Sequence, residues 1–306
     1  MIIITKLSLS YLFTMTDFKT ELYEKGYAVI EDVLSPEQIK TATSDFHDWI
    51  DKNPQVKEKH LRIDPHGIFK FSEAGHQRHT WYIKTLDEVQ SKFRDIWETN
   101  ELVTGFDGSC WMPSSMIGKD GNWTHTDQAP DTKGRVCVQG FIALTNNKER
   151  TLQVYEGSHL LHEQYMREKE ITGKKNWLLI EPAYLKTIED KKKVLNIKAG
   201  SLVLWDSRTF HQNRNIINTL PGQPNEERMV QYVCFLPKNH PKNTANMSKK
   251  RLKYYEDRRT TSHWPYPLHV NGKQPQTFGN NNLLIDYEQL IPPYLDDLDQ
   301  KIKKII

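Results

Sequence analysis

Gly200-Ser201-Leu202-Val203-Leu204-Trp205-Asp206-Ser207-Arg208-Thr209-Phe210-His211-Gln212-Asn213 reads as a turn, a short apolar strand and a polar connection that ends on a histidine. Leu202 to Trp205 is an unbroken apolar run of strand length, suited to a pleated surface buried on both faces. His211 follows it closely, where a rigid strand can aim the ring inward. Four further runs share this texture, at 136–144, 152–155, 194–197 and 229–236, each separated from the next by turn residues. From about residue 100 the chain is therefore expected to be a series of short β-strands.

Upstream the period changes from two to 3.6. Residues 17–25 read as a short helix, and Tyr27-Ala28-Val29-Ile30 as a buried strand. Ser35-Pro36-Glu37-Gln38 is a helix start, with Ser as N-cap, Pro at the first helical position and Gln three residues after the cap. Ile39, Ala42, Phe46, Trp49 and Ile50 follow at helical spacing, and Leu86, Val89, Phe93, Ile96 and Trp97 form a second amphipathic stripe. Helices followed by many short strands predict an α+β, mainly β domain, with helices packed outside an antiparallel barrel or sandwich.

The periodicity dissolves after Pro237. Residues 241–306 read as an extension packed on the barrel, partly helical from 287 to 306, because Tyr254, Tyr255, Trp264, Tyr266 and Phe278 are more aromatics than disorder carries. Within it, Arg258-Arg259-Thr260-Thr261-Ser262-His263-Trp264-Pro265-Tyr266 mixes cationic, hydroxyl and aromatic groups. Such a stretch can supply the placed polar groups and apolar walls of a small-molecule pocket, or simply pin the tail. Residues 1–14 are read as an optional N-terminal segment whose apolar run falls short of the roughly 20 residues a bilayer requires. No membrane partner is expected.

A net charge of +3, with Lys and Arg nearly balanced by Asp and Glu, lacks the clustered basic face of a nucleic-acid binder. Lys191-Lys192-Lys193 and Lys249-Lys250-Arg251 read as solvated surface runs. Cys110, Cys137 and Cys234 are odd in number and lie in apolar contexts, so they read as core thiols rather than a disulfide framework. A reducing, cytoplasmic (intracellular) setting is expected. Oligomeric state leaves no signature in the sequence.

Trp123-Thr124-His125-Thr126-Asp127 carries the chemistry. In a strand, residues i and i+2 share a face, so His125 and Asp127 can reach one ion. Imidazole plus carboxylate suits Fe(II), Mn(II) or Zn(II), and a second histidine would complete a facial set with open positions. His211 is the candidate for that place. Its competitors are His159, His162 and His240, of which the first two are explained by capping and exposure around the Glu156-Gly157-Ser158-His159 turn. Arg228 opens the run at 229–236 and is a candidate clamp for a dicarboxylate through bidentate pairing, with Arg214 and Arg208 as rivals.

In this order the elements resemble the phytanoyl-CoA dioxygenase family of Fe(II)/2-oxoglutarate oxygenases. The resemblance is carried by Glu24-Lys25-Gly26-Tyr27-Ala28-Val29-Ile30, the Ser35-Pro36-Glu37-Gln38 start, His125-x-Asp127 and Phe141-Ile142-Ala143-Leu144. It continues through Leu152-Gln153-Val154-Tyr155-Glu156-Gly157-Ser158-His159, then 200–211, and covers roughly 17–237. It implies a double-stranded β-helix (jelly-roll, cupin-like) barrel with flanking helices over 15–240. Iron would be held by His125, Asp127 and His211, and 2-oxoglutarate by Arg228, with Gln139 and Lys119 as further pocket residues. The implied reaction is hydroxylation of a small-molecule C–H bond by O2, releasing succinate and CO2; the intact carboxylate Asp127 favours this over halogenation. Two other readings stay open, a catalytically silent binding protein of the same fold and a Zn-dependent hydrolase using the same three ligands.

Overall fold

A computed structural model of the chain describes residues 17–116, 121–216 and 224–306. The segment 1–14 and Lys119 lie outside the described residues. Asp17 caps the first helix, Phe18–Lys25, by accepting from the Lys19 amide, and Gly26 ends it in the left-handed region at φ 82°. At the next helix, Pro36–Lys52, both bonds of the expected capping box form: Ser35 Oγ accepts from the Gln38 amide, and the Gln38 side chain accepts from the Ser35 amide.

The strands are β1 (Tyr27–Ile30), β2 (Leu102–Thr104), β3 (Ser109–Met112), β4 (His125–Thr126), β5 (Val138–Ala143) and β6 (Leu152–Tyr155). They continue with β7 (Leu178–Leu179), β8 (Lys192–Val194), β9 (Leu202–Asp206), β10 (His211–Asn213) and β11 (Arg228–Pro237). They form two antiparallel sheets flanked by helices. The larger runs β1-β9-β5-β11-β2, with β3 also pairing β11; the smaller runs β7-β4-β10-β6-β8. Strand alternation divides the core in two. Leu202, Leu204, Ile142 and Val233 join Phe46, Trp49 and Phe93 of the helices, while Val203, Trp205 and Phe141 join Leu152 and Val154 of the smaller sheet. The central strands of the larger sheet are thus buried on both faces, which is why 202–205 is apolar without alternation.

Some expectations shift. The run at 194–197 pairs instead as β8, Lys192–Val194, an exposed edge, while Ile197 makes only an isolated bridge to Asn147. Apolar patterning reports burial, and this strand has little. The same limit hides β4, β7 and β10, of two or three residues each, and the helix Ala245–Glu256 in the expected extension, whose only buried residue is Arg251. All three cysteines are free and buried, with the Cys137 and Cys234 sulfurs 3.5 Å apart. Among the described residues, no helix is long and apolar enough to cross a membrane.

Gly26 ties the first helix to the β9–β10 turn. Its carbonyl accepts from the Asp206 amide at 3.0 Å and from Thr209 Oγ1 at 2.8 Å. A Cβ here would stand 2.4 Å from His159 Nδ1, whereas one at Gly157, also at positive φ, meets open space. Gly157→Ala is therefore expected to cost about 1–2 kcal/mol from backbone strain alone, and Gly26→Ala clearly more. Denaturant unfolding of the two variants checks this; equal losses would show that the close approach to His159 carries no energy.

Candidate metal centre and its cavity

Antiparallel pairing of β4 with β10 sets His211 directly opposite His125. Their ring centroids lie 4.4 Å apart. Asp127 stands just past the end of β4, held by its amide donating to Ser207 O at 3.0 Å. Asp127 Oδ2 is 3.6 Å from His125 Nε2 and 3.3 Å from His211 Nε2. The three candidate ligand atoms lie within 4.8 Å of one another, and all three residues are buried.

The backbone fixes the rings. His125 Nδ1 lies 3.1 Å from Trp123 O and His211 Nδ1 lies 2.9 Å from Thr209 O. A carbonyl only accepts, so each Nδ1 carries the proton and each Nε2 presents a lone pair toward Asp127. Burial pushes the Asp127 carboxyl up, whereas charge on His125 and hydrogen bonds from His125 and His211, whenever their Nε2 carries a proton, pull it well below the usual carboxylate range. Burial, and then His125, push His211 down. Ionised carboxylate and neutral imidazole are the forms that bind a metal. Two nitrogens and one carboxylate oxygen on one side of a cavity fit a divalent transition ion with open positions.

Gln139, on β5, donates to Asp127 Oδ2 at 3.1 Å and also touches His263. The cavity in front of these groups has a volume of about 440 Å³. Aromatic rings of Trp123, Trp177 and Trp264 form much of its wall. Thr261, Ser262 and His263 line it too, so the stretch that mixes polar and aromatic residues does reach the site.

Arg228 begins β11 and is fully buried. It shares a strand face with Val230 and Tyr232, of which Tyr232 lines the cavity and accepts from Asn213 at 3.2 Å. Its guanidinium lies 5.3 Å from the centre of the Phe141 ring and donates Nη1 to the Cys110 sulfur at 3.6 Å. Nε and Nη2 have no hydrogen-bond partner among the described residues. Buried Arg150 differs, donating to the carbonyls of Pro113, Met116 and Glu226. Arg228 is a buried cation without an oxygen partner among the described residues, a costly arrangement unless an anion meets it.

Arg208 and the three rival histidines are engaged elsewhere. Arg208 forms a two-point pair with its neighbour Asp206, at 2.9 and 2.8 Å. His159 and His162 are buried rather than exposed, bonded to Tyr23 O and Gln128 O respectively. The helix that begins beside them turns its histidine face inward, so burial, not capping, explains both. His240 stacks on Tyr266. Sequence reasoning did not single out Asp107, Asn213, Trp177 or Tyr232, which line the cavity; they are isolated polar or aromatic residues with no spacing signal.

A profile of the phytanoyl-CoA dioxygenase (PhyH) family matches residues 22–218. A relative in Aspergillus versicolor, "Ava biosynthesis cluster protein O", is 27% identical over 258 residues, covering 76% of this chain and 82% of that protein. Among solved structures, the non-heme alpha ketoglutarate dependent carbocyclase SnoK from nogalamycin biosynthesis superposes with a TM-score of 0.51 at 16% identity. That alignment covers 74% of this chain and 85% of SnoK, and it establishes a shared fold. With the profile spanning from the first helix past the His211 strand, the chain belongs to the phytanoyl-CoA dioxygenase family.

Proposed function

We propose that this protein is an Fe(II)/2-oxoglutarate-dependent dioxygenase that hydroxylates a C–H bond of a small molecule. The observations that carry the reading are the His125–Asp127–His211 cluster and a buried guanidinium, Arg228, that has no oxygen partner among the described residues and shares a strand face with the cavity-lining Tyr232. A metal hydrolase needs the first and has no use for the second. We read the two sheets as the halves of a double-stranded β-helix over 15–240, and 241–306 as an extension that closes the cavity. The biosynthesis-cluster relative supports a small-molecule substrate.

Bound iron and 2-oxoglutarate together supply the oxidising chemistry, in which O2 places one oxygen atom in succinate, formed with CO2, and the other in the substrate. The protein's part is placement. Trp123 O and Thr209 O hold the two imidazoles in the ligating tautomer. Gln139 fixes Asp127 Oδ2. Arg228, whose Nε and Nη2 have no partner among the described residues, would pair with the distal carboxylate of 2-oxoglutarate. Phe141, Leu152 and Trp205 keep water from the space between.

Anaerobically loaded protein is expected to hold one Fe(II) per chain, and His125→Ala or Asp127→Ala to lose nearly all of it on metal analysis; retention of iron by both would sink the ligand assignment. Arg228→Met should retain iron but bind 2-oxoglutarate at least roughly 30-fold more weakly. It should not destabilise the ligand-free chain, because a buried unpaired charge is removed. In thermal melts, 2-oxoglutarate with iron should raise the unfolding temperature of the native protein and not that of the variant. If Arg214→Ala abolishes the rise and Arg228→Met does not, the clamp is Arg214. Succinate formed from 2-oxoglutarate only with added iron separates the oxygenase from both a silent binding protein and a zinc hydrolase.

A further inference from the structure

Of the four tryptophans that line the cavity, three are committed to the protein itself. Trp123 is covered on both faces, by His125 with ring centres 4.9 Å apart and by His66 at 4.0 Å, and its indole N–H donates to Asn213 O at 3.0 Å. Trp205 and Trp264 are each only 4% exposed. Trp177 differs. It is 39% exposed, and its ring centre lies 5.8 Å from that of the candidate ligand His125. Its indole N–H has no hydrogen-bond partner among the described residues. Among those residues it is also the one large exposed hydrophobic side chain that lines this cavity. Its backbone is held on both sides: Asn176 Oδ1 accepts from the Ala129 amide at 3.0 Å, and Leu178 and Leu179 pair with Thr126 and His125. The strand pair that carries His125 therefore also keeps this indole at the mouth.

The charges on the cavity wall single out a neighbour. Asp107 is paired with the buried Lys84 at 2.5 Å, Lys70 with Asp64 at 2.7 Å, and Asp127 belongs to the metal cluster. Lys175, two residues before Trp177, is exposed and lines the same mouth. Its ammonium lies 5.5 Å from the centre of the Trp177 ring and has no carboxylate partner among the described residues. A cation–π contact at an exposed site is weak and leaves the ammonium available to an anion. On the oxygenase reading, a divalent ion offset by Asp127, together with Arg228, balances the two carboxylates of 2-oxoglutarate. Lys175 is the charge left over.

We propose that Trp177 and Lys175 select the substrate, and that the substrate is a compact planar ring molecule carrying one acid group. The ring lies against the indole and the acid pairs with the ammonium. A flat apolar surface that is open to the cavity mouth is matched best by another flat ring. A cavity of about 440 Å³ is toward the lower end of small-molecule sites and is shared with 2-oxoglutarate, which suits a compact ring system rather than a long chain. Both side chains are exposed, so a ligand entering the mouth meets them without displacing any part of the core.

This inference rests on the oxygenase reading for its charge balance, and the test separates the two. It uses full-length protein loaded with Fe(II) and 2-oxoglutarate under argon, and three probes of similar outline. 2-Naphthoate is flat and anionic, 2-naphthamide is flat and neutral, and decahydro-2-naphthoate is anionic but not flat. Calorimetric titration reads the affinity, and the visible charge-transfer band of the iron chelate reads cofactor loading in the same samples. Native protein should bind 2-naphthoate about fivefold more tightly than either other probe, the size of one partly exposed ion pair or one ring contact. Lys175→Met should abolish the preference for acid over amide and keep that for the flat over the saturated acid. Trp177→Leu should do the reverse. A variant that does not melt cooperatively is replaced by Lys175→Gln or Trp177→Met, with the same expectation. Equal affinity of native protein for 2-naphthoate and either other probe, or a preference that survives loss of its side chain, overturns the proposal. Loading without discrimination defeats this inference alone, and discrimination without loading defeats the oxygenase reading alone.

Discussion

The register of β10 against β4 and β6 is the constraint on which the rest of the site depends. Strand pairing sets His211 opposite His125 on one side and opposite Val154 on the other. A slip of β10 by one residue would turn the His211 imidazole to the opposite face of the sheet from His125. The strands are too short to hold register by themselves, so it is fixed from outside. Ser207 O receives the Asp127 amide and Thr126 Oγ1, and the Phe210 amide donates to Ser158 Oγ. Gly26 clamps the turn between β9 and β10. The His125–Asp127–His211 cluster is thus held in place by the larger sheet and the first helix, although the smaller sheet bears it.

The two faces of the larger sheet do different work. Toward the helices it packs a continuous apolar core that includes Phe46, Trp81 and Phe93. Toward the smaller sheet it presents Phe141, Val203 and Trp205 beside Arg228 and Tyr232, and Asn213 of β10 bonds to Tyr232 from the facing sheet. Polar groups are tolerated on this inner face only where partners exist or are brought by a ligand. Asn213 and Tyr232 satisfy each other; Arg228 does not have that option.

Much of this was legible in the sequence where burial and periodicity coincide. The first two helices, β1, β6 and the buried strand β9 are read within a residue or two because their apolar spacing repeats. The capping residues Ser35 and Gln38 are legible for a local reason, since a helix start is a short-range hydrogen-bond problem. His125, Asp127 and His211 are brought together by two short strands that no periodicity announces; spacing after β9 and the i, i+2 relation pointed to them. Arg228 was visible as a charge beside a buried strand, but its lack of partners was not. Asp107 and Lys84 are 23 residues apart and belong to different elements, and only the folded chain joins them. His159 and His162 were misjudged because a helix shows its two faces only once something packs on one.

The smaller sheet ends without cover. One edge is β8, whose Lys192 and Lys193 lie in solvent, and the other is β7, only two residues long with Leu179 half exposed. Unpaired backbone along such margins is a template for a further strand from another molecule. Solvated lysines on one margin, with Lys192 ion-paired to Glu189, and extreme brevity on the other leave an incoming strand little to register against. The sheet that carries the candidate metal ligands therefore offers a poor template for growth by strand addition, and the solvated lysines of β8 contribute to that.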